Sequence, residues 1–209
     1  MHAETPHPFR SPYQRDRDRI VHSAAFRRLA HKTQVFTEYP GDYHRSRLTH
    51  TLEVTSIART LARSLAINED LAEALALAHD IGHPPLGHAG EDTLNELLRK
   101  DGGFNHNRQA LRIVTLLEHR YPNCSGLNLS QEILEAQSVR AKLPAAPPPL
   151  LETQVVDAAD SIAYDTHDAD DAIELGFVKL DELLELPLVA KAAANVDSQH
   201  GKLDPLLLR

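Results

Sequence analysis

The stretch His79-Asp80-Ile81-Gly82-His83-Pro84-Pro85-Leu86-Gly87-His88-Ala89-Gly90-Glu91 holds three histidines and two carboxylates, divided by glycine and a proline pair. Imidazole nitrogens and carboxylate oxygens both ligate divalent cations, and both can carry protons in catalysis. His79 and Asp80 stand where an Ala/Leu-rich run, Leu71 to Ala78, comes to its end. Successive helical positions point about 100° apart, yet at a fraying terminus two such side chains can converge on one ion. Pro84 and Pro85 cannot continue the helical hydrogen bonding. His88 and Glu91 then resume three residues apart, the spacing of one face of a new helix. A metal-ligand pair followed by a His/Glu pair suits hydrolysis of a phosphate ester. Packing alone explains a His-Asp pair on the end of an apolar helix poorly.

The elements that must position these groups read as helices. Gln14 to Ala30 has apolar residues at helical spacing and a basic face of Arg15, Arg17, Arg19, Arg27 and Arg28, followed by Lys32. That face reads equally as solvated surface or as a contact for substrate phosphates. Lys32 to Arg47 is a connection holding Gln34-Val35-Phe36 and the turn Pro40-Gly41-Asp42. Thr49 to Ser64 follows as a helix with Leu52, Ile57, Leu61 and Leu65 expected inward and His50 in its first turn. Asn68 caps the next helix, whose nearly all-round apolar surface makes it central. Beyond the proline break come helices to about Lys100, from Asn107 to Glu118, and from a Ser130 cap to about Arg140. Residues 143–149 are a stiff proline linker within residues 140–150. Leu151 to Glu174 is a long helix with Leu151, Val155, Ala159, Ile162 and Ala163 inward, and Asp160 at the margin of that buried side. A margin carboxylate needs a partner, and a cation is a good one. Residues 180–209 read as short Leu-rich pieces interrupted by Pro187 and Pro205, without a final helix.

The 209 residues suit one all-α domain with a core of Leu, Ala, Ile and Val, since aromatics are 5% and Trp is absent. A formal charge of −8 argues against a general nucleic-acid or membrane surface. Single Cys124 excludes an internal disulfide framework and a Cys-based zinc cluster. The first ten residues lack a signal-peptide apolar core, and no apolar run reaches membrane-spanning length. A cytoplasmic protein is the expectation.

A helix bearing His50, a second ending in His79-Asp80 and a third bearing Asp160 can supply two imidazoles and two carboxylates to one ion. That mixed set suits a divalent ion of the Mn²⁺, Mg²⁺ or Fe²⁺ class with open positions for water and substrate. The spacing His…His-Asp…Asp resembles the HD phosphohydrolase superfamily. The flanking text resembles its deoxynucleoside triphosphate triphosphohydrolases, in particular the bacterial dGTPase-like proteins. The blocks that carry this are Phe26-Arg27-Arg28-Leu29, Gln34-Val35-Phe36, Arg47 to Val54, residues 79–91, Gly102 to Asn107, Gly126 to Ser130 and Asp157 to Asp165.

The resemblance implies a helical HD domain over residues 13–187, between an extended arm (1–12) and a shortened C-terminal tail (188–209). It makes His50, His79, Asp80 and Asp160 ligands of one divalent metal ion, and His88 with Glu91 the catalytic pair, Glu91 orienting His88 as proton donor. It places His83 and His106 in the catalytic cleft, Arg47 on phosphate oxygens, and Gln34, Val35, Tyr164 and Asp168 against the deoxyribose. The implied reaction converts a dNTP such as dGTP to deoxynucleoside and inorganic triphosphate, in a homo-oligomer. The alternatives are another HD-type nucleotide phosphohydrolase, or a non-catalytic dNTP-binding or assembly subunit, because relatives draw part of their nucleotide pocket from helices beyond the equivalent of residue 187.

Overall fold

A computed structural model describes residues 4–34, 45–122 and 124–200 of the chain. Among these, all regular elements are helical: α1 (Pro12–Val21), α2 (Ala24–Arg28), α3 (Arg47–Ser64), α4 (Glu69–Ala78), α5 (Gly87–Leu97), α6 (His106–Arg112), α7 (Gln131–Arg140), α8 (Leu151–Glu174), α9 (Leu180–Leu184) and α10 (Pro187–His200). The all-α expectation holds. The chain divides into two compact units after Ala163, a point inside α8.

In the first unit, α4 packs against α1, α3 and α7. Its Leu71, Ala72, Ala74, Leu75, Ala76, Leu77 and Ala78 are all buried, and the polar side is reduced to Glu69, Asp70 and Glu73 in its first half. Asn68 caps this helix as expected, its side chain accepting from the Leu71 backbone N–H at 3.0 Å. Ser46 and Asn105 cap α3 and α6 in the same way. Ser130 occupies the N-cap position of α7, but its hydroxyl makes no capping bond; its backbone N–H instead donates to buried Asp16 at 2.8 Å.

Several element readings need correction. The helix read across Gln14 to Ala30 breaks at His22-Ser23, because Ser23 caps a new segment by accepting from Phe26 N–H. On α3 the inward face is Val54, Ala58 and Ala62 with His50, Thr51 and Thr55, while Leu52 and Leu65 are exposed. Small side chains face α4, letting the two backbones approach closely; the leucines were read from hydrophobicity alone. On α8, Leu151 and Ile162 are likewise exposed, and Val155, Val156, Ala159 and Ala163 are buried. The segment Ile113–Leu117 continues α6 as a π-helical turn. The tail does contain a helix, α10, because Pro187 is its first residue, where no intrahelical N–H donor is needed. Val35, Phe36, the Pro40-Gly41-Asp42 turn and Pro205 lie outside the described residues.

Candidate metal centre and histidine cluster

His79 ends α4 as its C-cap residue, and residues 79–83 turn tightly away from the buried helix. One approach fixes that turn. A Cβ at Gly82 would stand 2.0 Å from the His106 carbonyl oxygen and 2.4 Å from the Ala110 amide nitrogen, so only glycine fits against the α6 backbone. Gly82→Ala is therefore expected to destabilise the fold by about 1–3 kcal/mol through overpacking, read as a lower denaturant midpoint. The chain re-enters helix through Leu86 and Gly87, both at positive φ (64° and 55°), a left-handed turn that costs a residue such as leucine about 1–2 kcal/mol. The same turn presents His88 and Glu91 on the first turns of α5.

Three side chains from three helices meet at the end of α4. Ligand atoms of His50, His79 and Asp160 all lie within 4.8 Å of one another. His50 Nε2 is 2.9 Å and His79 Nε2 3.5 Å from the same oxygen, Asp160 Oδ1. The His79 Nδ1–H donates to the Ala76 carbonyl at 2.6 Å, which aims Nε2 at the cluster. That Nε2 is buried and has no hydrogen-bond partner. An imidazole pinned through one nitrogen to a carbonyl, with the other nitrogen directed at two potential ligands, is the pattern of a metal-binding histidine. The donor set therefore fits a divalent ion.

Asp80 stands slightly apart. Its Oδ1 is 3.8 Å from His79 Nε2 and 3.3 Å from His83 Nε2. Its Oδ2 accepts a 2.7 Å bond from Arg47 Nη1, both groups being buried. Burial opposes its charge, but His79, Arg47 and His83 outweigh that and hold its carboxyl well below the usual range. Asp160 is also held low: its desolvation is overcome by the His50 and His79 imidazoles beside it. His79 responds oppositely, with Asp80 and Asp160 raising its pKa against the effect of burial. Arg47, expected on substrate phosphate, is thus directed first to Asp80.

A second cluster adjoins the first through Asp80. His83 and His106 stack with ring centroids 3.8 Å apart. Glu91 accepts from the His106 backbone N–H at 2.8 Å through one oxygen and from His106 Nδ1–H at 2.7 Å through the other. Asn105, the cap of α6, adds a weak third bond at 3.4 Å. His88 Nδ1 lies 3.6 Å from Glu91 Oε2, beyond hydrogen-bond reach, and its side chain is 78% exposed. The arrangement expected from sequence, with Glu91 orienting His88, differs here: the carboxylate is engaged by His106. The reason is local, since capping by Asn105 brings the His106 backbone and ring onto the face of α5 that carries Glu91. The hydrogen bonds from His106 overcome burial and lower the Glu91 pKa. Burial pushes His83 down to about 3, so its ring is neutral at physiological pH and carries no charge to a phosphate.

The remaining expected residues are placed as follows. The Gln34 side-chain oxygen is buried without a hydrogen-bond partner, and its backbone carbonyl lies 3.8 Å from where a Gly87 Cβ would be. Tyr164 and Asp168 belong to the second unit, where Tyr164 is exposed and Asp168 partly buried. Val35 lies outside the described residues. Of the basic side chains, Arg15, Arg17 and Arg19 are engaged with carboxylates, whereas Lys32 donates to the His83 carbonyl at 2.6 Å. Fully buried Gln137 bonds the Ala78 carbonyl at 3.3 Å, satisfying the end of α4 beside His79. Nothing in the sequence pattern singles out Gln137; Lys32 is visible only as one of a run of cations.

The HD-domain family model matches residues 47–165, from the first residue of α3 to beyond Asp160 on α8. The chain belongs to the HD-domain family. Relatives of this HD protein bear the name deoxyguanosinetriphosphate triphosphohydrolase-like protein. The one from Paracoccus denitrificans (strain Pd 1222) is 51% identical over 96% of this chain and 58% of its own length. That from Bradyrhizobium sp. (strain ORS 278) is 49% identical over 99% of this chain and 58% of its own. A third, from Brucella suis (strain ATCC 23445 / NCTC 10510), is 48% identical over 97% of this chain and 57% of its own. The HD chain thus spans a little over half the length of these relatives. No helix among its described residues is long and apolar enough to cross a membrane.

Proposed function

We propose that the protein is a metal-dependent phosphohydrolase that converts a deoxynucleoside triphosphate, dGTP or a close relative, to deoxynucleoside and inorganic triphosphate. The observation that carries this reading is the buried, unpartnered Nε2 of His79 beside His50 and Asp160; the names of the HD relatives supply the substrate class. His50, His79, Asp80 and Asp160 would hold the ion, of the Mn²⁺, Mg²⁺ or Fe²⁺ class. When bound, such an ion supplies Lewis-acid polarisation of a phosphoryl oxygen and a more acidic water.

The protein's own groups do the rest. Water oxygen forms the new bond to the α-phosphorus as the bond from that phosphorus to the 5′-oxygen breaks, and the proton the water loses passes to solvent. His88 gives a proton to the departing 5′-oxygen; its exposure leaves it free to meet substrate. Glu91 holds the His106 ring in place, and stacking transmits that order to His83. Arg47 fixes the Asp80 carboxylate, and its guanidinium supplies positive charge beside the site toward a bound phosphate. Gln34, Val35, Tyr164 and Asp168 remain the proposed deoxyribose contacts. The organisation proposed is an HD region over 13–187 with a flanking arm and tail, acting as a cytoplasmic homo-oligomer; sedimentation of the purified chain checks the last point.

Incubating the metal-loaded protein with each dNTP tests the reaction. Inorganic triphosphate is the expected product; phosphate or diphosphate would indicate another HD-type hydrolase, and binding without product a non-catalytic subunit. His88→Ala is expected to keep its metal and lose turnover by about 10²–10⁴-fold, measured as kcat alongside metal content.

A further inference from the structure

Residues 4–10 carry a carboxylate into a cleft of about 660 Å³ on α1, walled by Arg10, Arg15 and Arg19 together with the buried Asp16, which lies 3.4 Å from Arg19 Nη1; no residue of either histidine cluster lines it. There Glu4 gathers an unusual density of donors. Arg19 Nη2 reaches both of its oxygens, at 2.6 Å for Oε1. Arg15 Nη2 bonds Oε2, and Asn128 Nδ2 donates to Oε1 at 2.7 Å. The two guanidinium groups are braced from behind: Arg15 Nη1 donates to the Thr5 carbonyl at 3.1 Å and Arg19 Nη1 to the Asn128 carbonyl at 2.5 Å. Tyr121 lies against the Arg19 guanidinium at 5.6 Å. The Ser130 hydroxyl, in the wall of the same cleft, is buried beside the Asp16 carboxylate, which accepts the Ser130 backbone N–H at 2.8 Å.

We propose that this cleft is a binding site for a phosphate or short polyphosphate anion, and that Glu4 is an internal stand-in which the ligand displaces. Three donor groups from three side chains converge on only two carboxylate oxygens. A tetrahedral oxyanion offers each of them its own acceptor. Arginine forks braced in this way suit planar bidentate capture of such oxygens. Glu4 lies on an irregular segment and its side chain is 32% exposed, so it is a displaceable competitor; a partly exposed ion pair contributes about 1 kcal/mol or less. A doubly charged anion gains more from the same two arginines. Binding therefore releases residues 4–10 from α1.

The test titrates inorganic pyrophosphate into the full chain by calorimetry, comparing the parent protein with Glu4→Gln. Removing the internal competitor is expected to tighten binding by up to about fivefold, with an affinity that weakens as salt is raised. Adding Arg15→Ala and Arg19→Ala to Glu4→Gln is expected to cancel that gain. Asn128→Gly in the same background is a second check that spares α1; glycine accommodates the positive φ of 50° at this position while removing one donor. It is expected to remove part of the gain. Pyrophosphate taken up at the histidine clusters would bind all these variants alike. Equal affinity in Glu4→Gln and parent, or a gain that survives loss of the arginines and of Asn128, would overturn the proposal.

Discussion

His79→Ala is expected to yield a folded protein that no longer retains a divalent ion and, on the proposed function, turns over dNTP about a thousandfold more slowly or worse, since several kcal/mol of charge stabilisation would leave with the ion. The reason lies in the division of labour between the two ring nitrogens. Nδ1 is tied to the Ala76 carbonyl, and Nε2 is the buried atom without a partner, 3.5 Å from Asp160 Oδ1. Asp160→Asn provides the companion variant on a more accessible side chain and should lose metal with less disturbance of the core. Metal content by elemental analysis, circular dichroism and kcat are read together. Full metal occupancy in both variants would contradict the ligand assignment.

Glu91→Gln is expected to have the opposite signature, retaining the metal while turnover falls by about 10²–10³-fold. The carboxylate accepts two bonds from His106, one from the backbone and one from the ring. A glutamine oxygen can keep the backbone bond, but its amide then faces Nδ1 and forces the ring into its other tautomer or orientation. The effect should appear in kcat with little change in metal affinity. Stability carries a pH signature as well. The folded-state pKa of Glu91 lies below its ordinary value of 4.5, so its contribution is present above that pH and is lost as pH falls below it. Denaturant titrations should show the acid-side loss diminished in Glu91→Gln; an unchanged profile and unchanged kcat would assign the Glu91–His106 pair no role.

What could be read in advance depended on chemistry more than on packing. His79-Asp80 at the end of an apolar helix and Asp160 at the margin of α8 were visible because such placements are costly without a partner, and the fold brings His50 to both. Asn68 was legible as a cap because its role is local. The inward face of α3 was not, since Ala58, Ala62 and Thr51 become the buried stripe only when α4 lies against them. The link from Glu91 to His106 was equally hidden. Fifteen residues separate the two groups, and the contact depends on α6 seating against Gly82. Arg47 illustrates the same limit: its charge was evident, but its engagement with Asp80, 33 residues away, is a product of the fold.

The most direct measurement is an anomalous-scattering map of crystals soaked in Mn²⁺. The account predicts one peak within coordination distance of His79 Nε2, shared with His50, Asp160 and the nearer oxygen of Asp80. A peak seated instead among His83, Glu91 and His106, the other such group among the described residues, or no peak at saturating metal, would contradict it.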